Sequence, residues 1–144
     1  MAASCRFAFA VHVLAVLALR EEEAVTSEML AGSVNTNAVV IRRILADLRR
    51  AGLVTTCKGV GGGAWLTRKP SEITLDEVYR AVEGCPGFSM HPHQPNQRCL
   101  VGRRIEEVLT GVFNSAQTAL EQALSRRTLA EVLEDVSSPT TLSR

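Results

Sequence analysis

Read from the amino terminus, the first ordered signal is Arg6 to Leu19, RFAFAVHVLAVLAL, apolar throughout except for His12. The spacing predicts a first helix buried on most sides, with His12 as a hydrogen-bonded core histidine. Spanning a bilayer takes about 20 apolar residues, more than this run supplies. A signal peptide is the rival reading, but the run meets Arg20, Glu21, Glu22 and Glu23 where a small-residue cleavage site is expected. Thr26 then suits an N-cap, with Glu28 in the first turn of a short helix, TSEMLAGSV. After a polar turn at Asn35 and Thr36 comes NAVVIRRILADLRRAG, in which Ile41, Ile44, Leu45, Leu48 and Ala51 recur every three or four residues and would pack inward. The opposite side carries Thr36, Val39, Arg43, Ala46 and Arg50, with Arg42 on its shoulder. Gly52 stands where a left-handed C′ residue is wanted.

Beyond Gly52 the period changes. Leu53, Val54 and Thr55 read as a strand, glycines at 59, 61, 62 and 63 allow a reversal, and Ala64 to Thr67 return as a second strand. Lys69-Pro70-Ser71 ends regular structure, and Thr74-Leu75-Asp76-Glu77 is a capping-box pattern that opens a helix through Glu83, with Leu75, Val78, Tyr79 and Val82 facing the core. Gly84 to Gln97 has no apolar period and reads as a long loop bracketed by Cys85 and Cys99. From about Val101 a stripe of Ile105, Val108, Leu109, Val112, Phe113, Ala116, Leu120 and Leu124 predicts a helix whose apolar face spans about 30 Å. Such a face exceeds what a small domain can cover, so pairing with the same helix of a second copy is expected; a place in the core of a larger monomer is the alternative. Thr128 caps a last short helix, and a disordered Ser/Thr/Pro tail is expected from Ser137.

In order, a short helix, a tight turn, a longer amphipathic helix and a hairpin make a helix-turn-helix followed by a β-wing, a module that docks on duplex DNA. The expected fold is therefore mostly α with a small β-hairpin wing and a long C-terminal dimerisation helix. Four segments follow: a winged helix-turn-helix over 1–83, a sensor loop over 84–100, dimerisation and C-terminal helices over 101–136, and a tail over 137–144.

Composition adds little at the level of the whole chain. With 144 residues and 46% hydrophobic content there is material for one core, and the net charge of +1 favours no partner. Local charge is more informative. Between Asn35 and Lys69, seven basic residues (Arg42, Arg43, Arg49, Arg50, Lys58, Arg68, Lys69) face the single acid Asp47. That balance suits a polyphosphate partner; a solvated helix face with an ordinary hairpin is the bland alternative. Thr36, Asn37, Val39 and Arg43 are placed to reach base edges, Arg43 by bidentate bonds to guanine. Lys58, Gly61 and Gly62 at the wing tip can enter the minor groove or touch phosphate, and Arg42, Arg49, Arg50 and Arg68 suit backbone contacts.

Four cysteines at irregular positions do not form a secreted disulfide framework, so a reducing cytoplasm is the expected compartment. Cys5 and Cys57 read as core and strand positions. Cys99, at the start of the long helix beside Arg98, Arg103 and Arg104, sits in positive surroundings of the kind that activate thiols; inert packing is its plainer reading. Cys85 is the candidate resolving partner for a disulfide. His91 and His93 in MHPHQP lack a convincing set of metal-binding partners. An enzyme is disfavoured: GVGGGA leads into a strand pattern with no Gly-Lys-Ser/Thr, and Cys99 with either loop histidine lacks an orienting third group.

The runs RFAFAVHVLAVLA, TSEMLAGSVNTNAVVIRRILADLRRAGLV and GGGAWLTRKPSEITLDEVYRAVEG together resemble the IscR, NsrR and CymR family of bacterial winged-helix transcription regulators, from about residue 4 to 133. The resemblance implies a homodimer, joined along the long helix, that binds operator DNA through helix and wing, most simply as a repressor. Some members hold a [2Fe-2S] or [4Fe-4S] cluster in the loop before that helix, usually on closely spaced cysteines; others resemble thiol sensors. Here the loop offers only Cys85 and Cys99, an incomplete ligand set for a cluster. Thiol oxidation is accordingly the expected control, with no cofactor. The alternatives are a cluster on Cys85, Cys99 and a partner's first-helix His12, Ala8 being unable to ligate, and a dimeric adaptor that has lost DNA affinity.

Overall fold

A computed structural model describes residues 4–84 and 87–139. Six α-helices and one antiparallel hairpin are described: α1 Arg6–Leu19, α2 Ser27–Val34, α3 Ala38–Arg50, β1 Val54–Cys57, β2 Gly63–Leu66, α4 Leu75–Val82, α5 Leu100–Ser125 and α6 Leu129–Ser137, with a 3-10 turn at Pro70–Glu72 before α4.

Local sequence sets most boundaries. Thr26 accepts a hydrogen bond from the Met29 backbone N–H at 3.1 Å, and Asn37 Oδ1 accepts from Val40 N–H at 3.0 Å, so both helices of the helix-turn-helix carry side-chain N-caps. Between them Asn35 adopts φ 65°, a left-handed conformation that asparagine tolerates better than most residues. Gly52, at φ 78°, lets the chain leave α3 for the first strand. The capping box at Thr74 is complete: Thr74 Oγ1 accepts from Glu77 N–H at 3.2 Å and Glu77 returns a carboxylate oxygen to Thr74 N–H at 3.0 Å. The helix it opens ends at Val82, with Glu83 as its C-cap.

α1 lies at the centre of the winged-helix unit, with α2, α3, α4 and the hairpin packed around it. Its Ala10, Val13, Leu14 and Leu17 are buried against Leu30 of α2, Ile41, Ile44 and Leu48 of α3, and Val78 of α4. The hairpin pairs Val54 with Leu66 through Cys57 with Gly63. A third chain segment joins its edge at a Val25–Ala64 bridge, where the two backbone bonds measure 3.1 and 2.8 Å. Gly63 is required for that approach: its φ is 153°, and a Cβ there would lie 2.7 Å from the Val25 carbonyl oxygen.

α5 differs from the other helices in having none of its 26 residues buried. It packs on α4 and is tied there by Arg80, which reaches Glu121 at 3.0 Å and Asp76 at 2.9 Å. Past α5 the chain returns to the winged-helix unit. Leu129 of α6 is fully buried in its core, Leu129 N–H donates to the Ile73 carbonyl at 2.9 Å, and Leu75 N–H donates to the Arg127 carbonyl at 2.9 Å.

Four expectations need correction. His12 is exposed and not in the core; its Nε2 lies 2.9 Å from Ser33 Oγ on α2. Cys5 is exposed at the N-cap of α1, and Cys57, although in β1, is exposed as well. Ala51 is exposed just past α3. Tail residue Ser137 is the last residue of α6, while residues 140–144, like Cys85 and Pro86, lie outside the described residues.

Candidate nucleic-acid interface

α3 has two faces with different chemistry. Ile41, Ile44, Leu45 and Leu48 are buried and anchor the helix in the core. Val39, 52% exposed, and the exposed Arg43 and Arg50 occupy the outward face, with half-buried Thr36 and Ala46 at its edges. Asn37 presents its amide at the start of that face while its oxygen remains committed to the N-cap.

The arginines predicted to contact DNA divide by what holds them. Arg43 and Arg49 are exposed and make no ion pair among the described residues. Arg42 pairs with Glu28 at 2.8 Å, and both side chains are exposed, an arrangement worth little in water and readily exchanged for another anion. Arg50 pairs with Asp47, the one acid of the basic segment. Arg68 is turned toward α4, where it pairs with Glu77 at 3.0 Å and donates to the Glu72 carbonyl. Burial works to raise the Glu77 carboxyl. The Thr74 backbone hydrogen bond and the Arg68 guanidinium outweigh it, so the group lies below its ordinary value.

One residue of this region has no counterpart in the sequence reading. Arg6, at the start of α1, donates through Nε to the Val82 carbonyl at 3.1 Å and through Nη2 to Asp47, whose side chain is 15% exposed. It thereby ties the end of α4 to the inner side of α3. Nothing local distinguishes Arg6 from any solvated arginine that precedes an apolar run.

The wing projects beside α3. Lys58 follows β1 and the turn over 59–62 is exposed or half-buried. Gly61 has φ 78°, and a Cβ on Gly62 would collide with the Cys57 carbonyl, so these two glycines shape the tip. Between the wing and α3 lies a cleft of about 350 Å³ lined by Ser27, Arg42, Leu45, Ala46, Arg49, Thr56, Cys57, Lys58 and Gly63. A buried apolar side of α3, an exposed cationic side and a flanking glycine-tipped hairpin suit the groove and backbone of a duplex.

A model of the Rrf2 family, described as an iron-dependent transcriptional regulator, matches residues 3–135. The chain belongs to the Rrf2 family. YwnA of Bacillus subtilis (strain 168), an HTH-type transcriptional regulator by name, is 40% identical over 129 residues, covering 89% of this chain and 94% of that protein. NsrR of Geobacillus kaustophilus (strain HTA426) is 30% identical over 137 residues, covering 90% and 88% respectively. T. potens IscR shares the fold, with a TM-score of 0.71 over 100% of this chain and 94% of that chain at 23% identity. The resemblance drawn from the residues is thus borne out, and with it a winged-helix transcription regulator that binds DNA and not an enzyme.

The loop that precedes α5 in this Rrf2 chain is held near that helix at Gly87–Phe88 and again at Asn96. Phe88 stacks on Phe113 with ring centroids 5.1 Å apart, and Gly87 N–H donates to Gln117 Oε1 at 3.2 Å. Nearer α5, Asn96 accepts from Cys99 N–H through its carbonyl at 3.2 Å and from Arg98 N–H through Oδ1 at 2.9 Å; Gly102 supplies the space, since a Cβ there would strike the Asn96 carbonyl. Cys99 is the exposed N-cap residue of α5. Of the possible cluster donors, His12 is engaged with Ser33, His91 and His93 are exposed, and Cys85 is outside the described residues. Among the described residues no three of His, Cys, Asp and Glu converge as metal ligands. No helix is long and apolar enough to cross a membrane among the described residues.

Proposed function

We propose that two copies of this chain, joined along α5, bind a specific operator as a cytoplasmic repressor whose affinity falls when Cys99 is oxidised, with Cys85 as the resolving thiol. The observation that carries the DNA-reading half is the outward face of α3. Val39 and Arg43 stand exposed there, Arg43 without an acidic partner among the described residues, on a helix held from behind by its buried face and by the Arg6–Asp47 pair. Arg43 reaches guanine and Val39 a thymine methyl, with Thr36 and Asn37 at the same end. Dimerisation is supported by the exposed apolar residues of α5, including Val108 and Val112. A two-fold pair then presents two recognition helices to successive turns of the groove.

Thiol control is supported by the exposure of Cys99 at the helix start, and by the loop that fastens it to α5 and so to the subunit contact. Mild peroxide should lower operator affinity reversibly in the parent and leave Cys99→Ser unaffected. For the DNA half, Arg43→Ala should cost about 1 to 3 kcal/mol on a duplex selected from a random pool and relax preference at the base it reads. Unchanged affinity and unchanged preference in a gel shift would remove Arg43 from the site.

A further inference from the structure

Polar contacts fasten the base of α5 to α4 at two places. At the start of α4, Leu75 N–H donates to the Arg127 carbonyl at 2.9 Å, with the Thr74–Thr128 bridge beside it. Toward the other end of α4, Arg80 forks: its Nε lies 2.9 Å from Asp76 Oδ2 on its own helix, and its Nη2 lies 3.0 Å from Glu121 Oε2 on α5. The two helices therefore run antiparallel, held by backbone at one point and by a single guanidinium at the next.

The arms of that fork differ in how firmly they are set. Asp76 is 8% exposed, its Oδ1 is buried without a hydrogen-bond partner among the described residues, and Arg80 is the cation paired with it. Withdrawing Arg80 would strand that carboxylate, so this arm stays in place. Glu121 is the adjustable end: its side chain is 31% exposed, and its Oε1 also accepts from Gln117 Nε2 at 3.3 Å. Gln117 in turn accepts from the Gly87 N–H at 3.2 Å, so the loop and the fork bear on one carboxylate through one amide.

We infer that Arg80 is a positioning residue that sets the spacing of the two DNA half-sites by fixing the angle between α4 and α5. This role rests on the reading of two copies joined along α5 and goes beyond it, because pairing alone does not say how far apart the recognition helices stand. α4 belongs to the unit that reads DNA, tied to α3 by Arg6 between Val82 and Asp47, whereas α5 carries the subunit contact. With the Leu75–Arg127 pair as pivot, Glu121 lies about 9 Å away along α5 and Val108 about 28 Å, at about 1.5 Å per residue. A shift of about 1 Å at Glu121 thus becomes about 3 Å at the subunit contact. One base-pair step is about 3.4 Å, so slack at the fork amounts to a whole step of operator spacing.

The spacing itself is the readout. A half-site selected from a random pool is placed in inverted pairs whose spacers differ by single base pairs, and a gel shift with the full chain reads affinity across the series. The parent should prefer one spacing over its neighbours by at least about tenfold, since the others require the duplex to be twisted or bent. Glu121→Ala removes the exposed arm and leaves Asp76 paired. It should cut that preference to under about threefold, with affinity for a single half-site and sedimentation unchanged. Arg80→Lys keeps a cation for Asp76 but has no planar fork to span both carboxylates, so it should flatten the profile as well.

A Glu121→Ala profile as sharp as the parent's, or a parent indifferent to spacing, would overturn the role of Arg80 while leaving dimeric binding in place. A lower Tm or weaker half-site binding with the preference intact would reduce the fork to an ordinary stabilising contact. A parent that sediments as a monomer would remove the dimeric reading and this role with it.

Discussion

The long helix α5, which packs on α4 yet has no fully buried residue, gives the sharpest test of how this protein assembles. Val108 and Val112, one turn apart on α5, are 53% and 54% exposed in the single chain. Covering a half-exposed valine is worth about 1 kcal/mol. In a two-fold pair each residue counts twice, so these two positions alone supply about 4 kcal/mol of association. That corresponds to roughly three orders of magnitude in Kd. Replacing both by glutamate removes the gain and sets carboxylates where a dry contact should form, so the dissociation constant should rise at least about a thousandfold. Neither side chain belongs to the buried core, so far-UV circular dichroism of the double variant should match the parent. Sedimentation velocity over a concentration series reads the association, and a gel shift reads its consequence, since a monomer holds only one half-site. A parent that sediments as a monomer throughout, or a variant that dimerises as tightly as the parent, would refute the assignment of this face.

Three further outcomes follow from individual contacts. Leu48 is fully buried on the inner face of α3, and Leu48→Ala should lower stability in urea unfolding by about 2 to 5 kcal/mol; a loss well under that range would mean α3 is not anchored as described. Glu77 titrates below its ordinary 4.5 in the folded chain, so its contribution is present above the unfolded value and lost as pH falls through the folded one. Glu77→Gln should therefore flatten the acid side of the Tm–pH curve, and an unchanged slope would show that the Thr74 and Arg68 contacts do not hold its charge. Gly63→Ala should break the Val25–Ala64 bridge, since the new Cβ would crowd the Val25 backbone; faster hydrogen exchange at the Ala64 amide checks this, and unchanged protection argues against it.

Much of the winged-helix unit was legible in the residues because its determinants are local. The run from Arg6 to Leu19 is a helix with those bounds, Thr26, Thr74 and Thr128 cap the helices they precede, and the apolar period of α3 assigns Ile41, Ile44, Leu45 and Leu48 to the core. Each depends on interactions within a few residues, which propensity, capping and periodicity record. Ala51 escaped the same rule because it is the C-cap at the very end of α3, where the periodic face continues but the residue is exposed.

The rotation of α1 was not legible, for a physical reason. A run apolar all round carries no polar face to say which side meets water, so the exposure of His12 had to come from what packs on the other sides. Long-range pairings are silent in the same way: Arg6 with Asp47, Leu129 in the core, and the cleft assembled from Ser27, Arg49 and Lys58 each join segments distant in sequence. The sequence alone determined the helices, the wing and their family; only the tertiary structure decided which charges are neutralised and which stay free. That choice depends on distances between side chains far apart along the chain, and such distances exist only once the chain has folded.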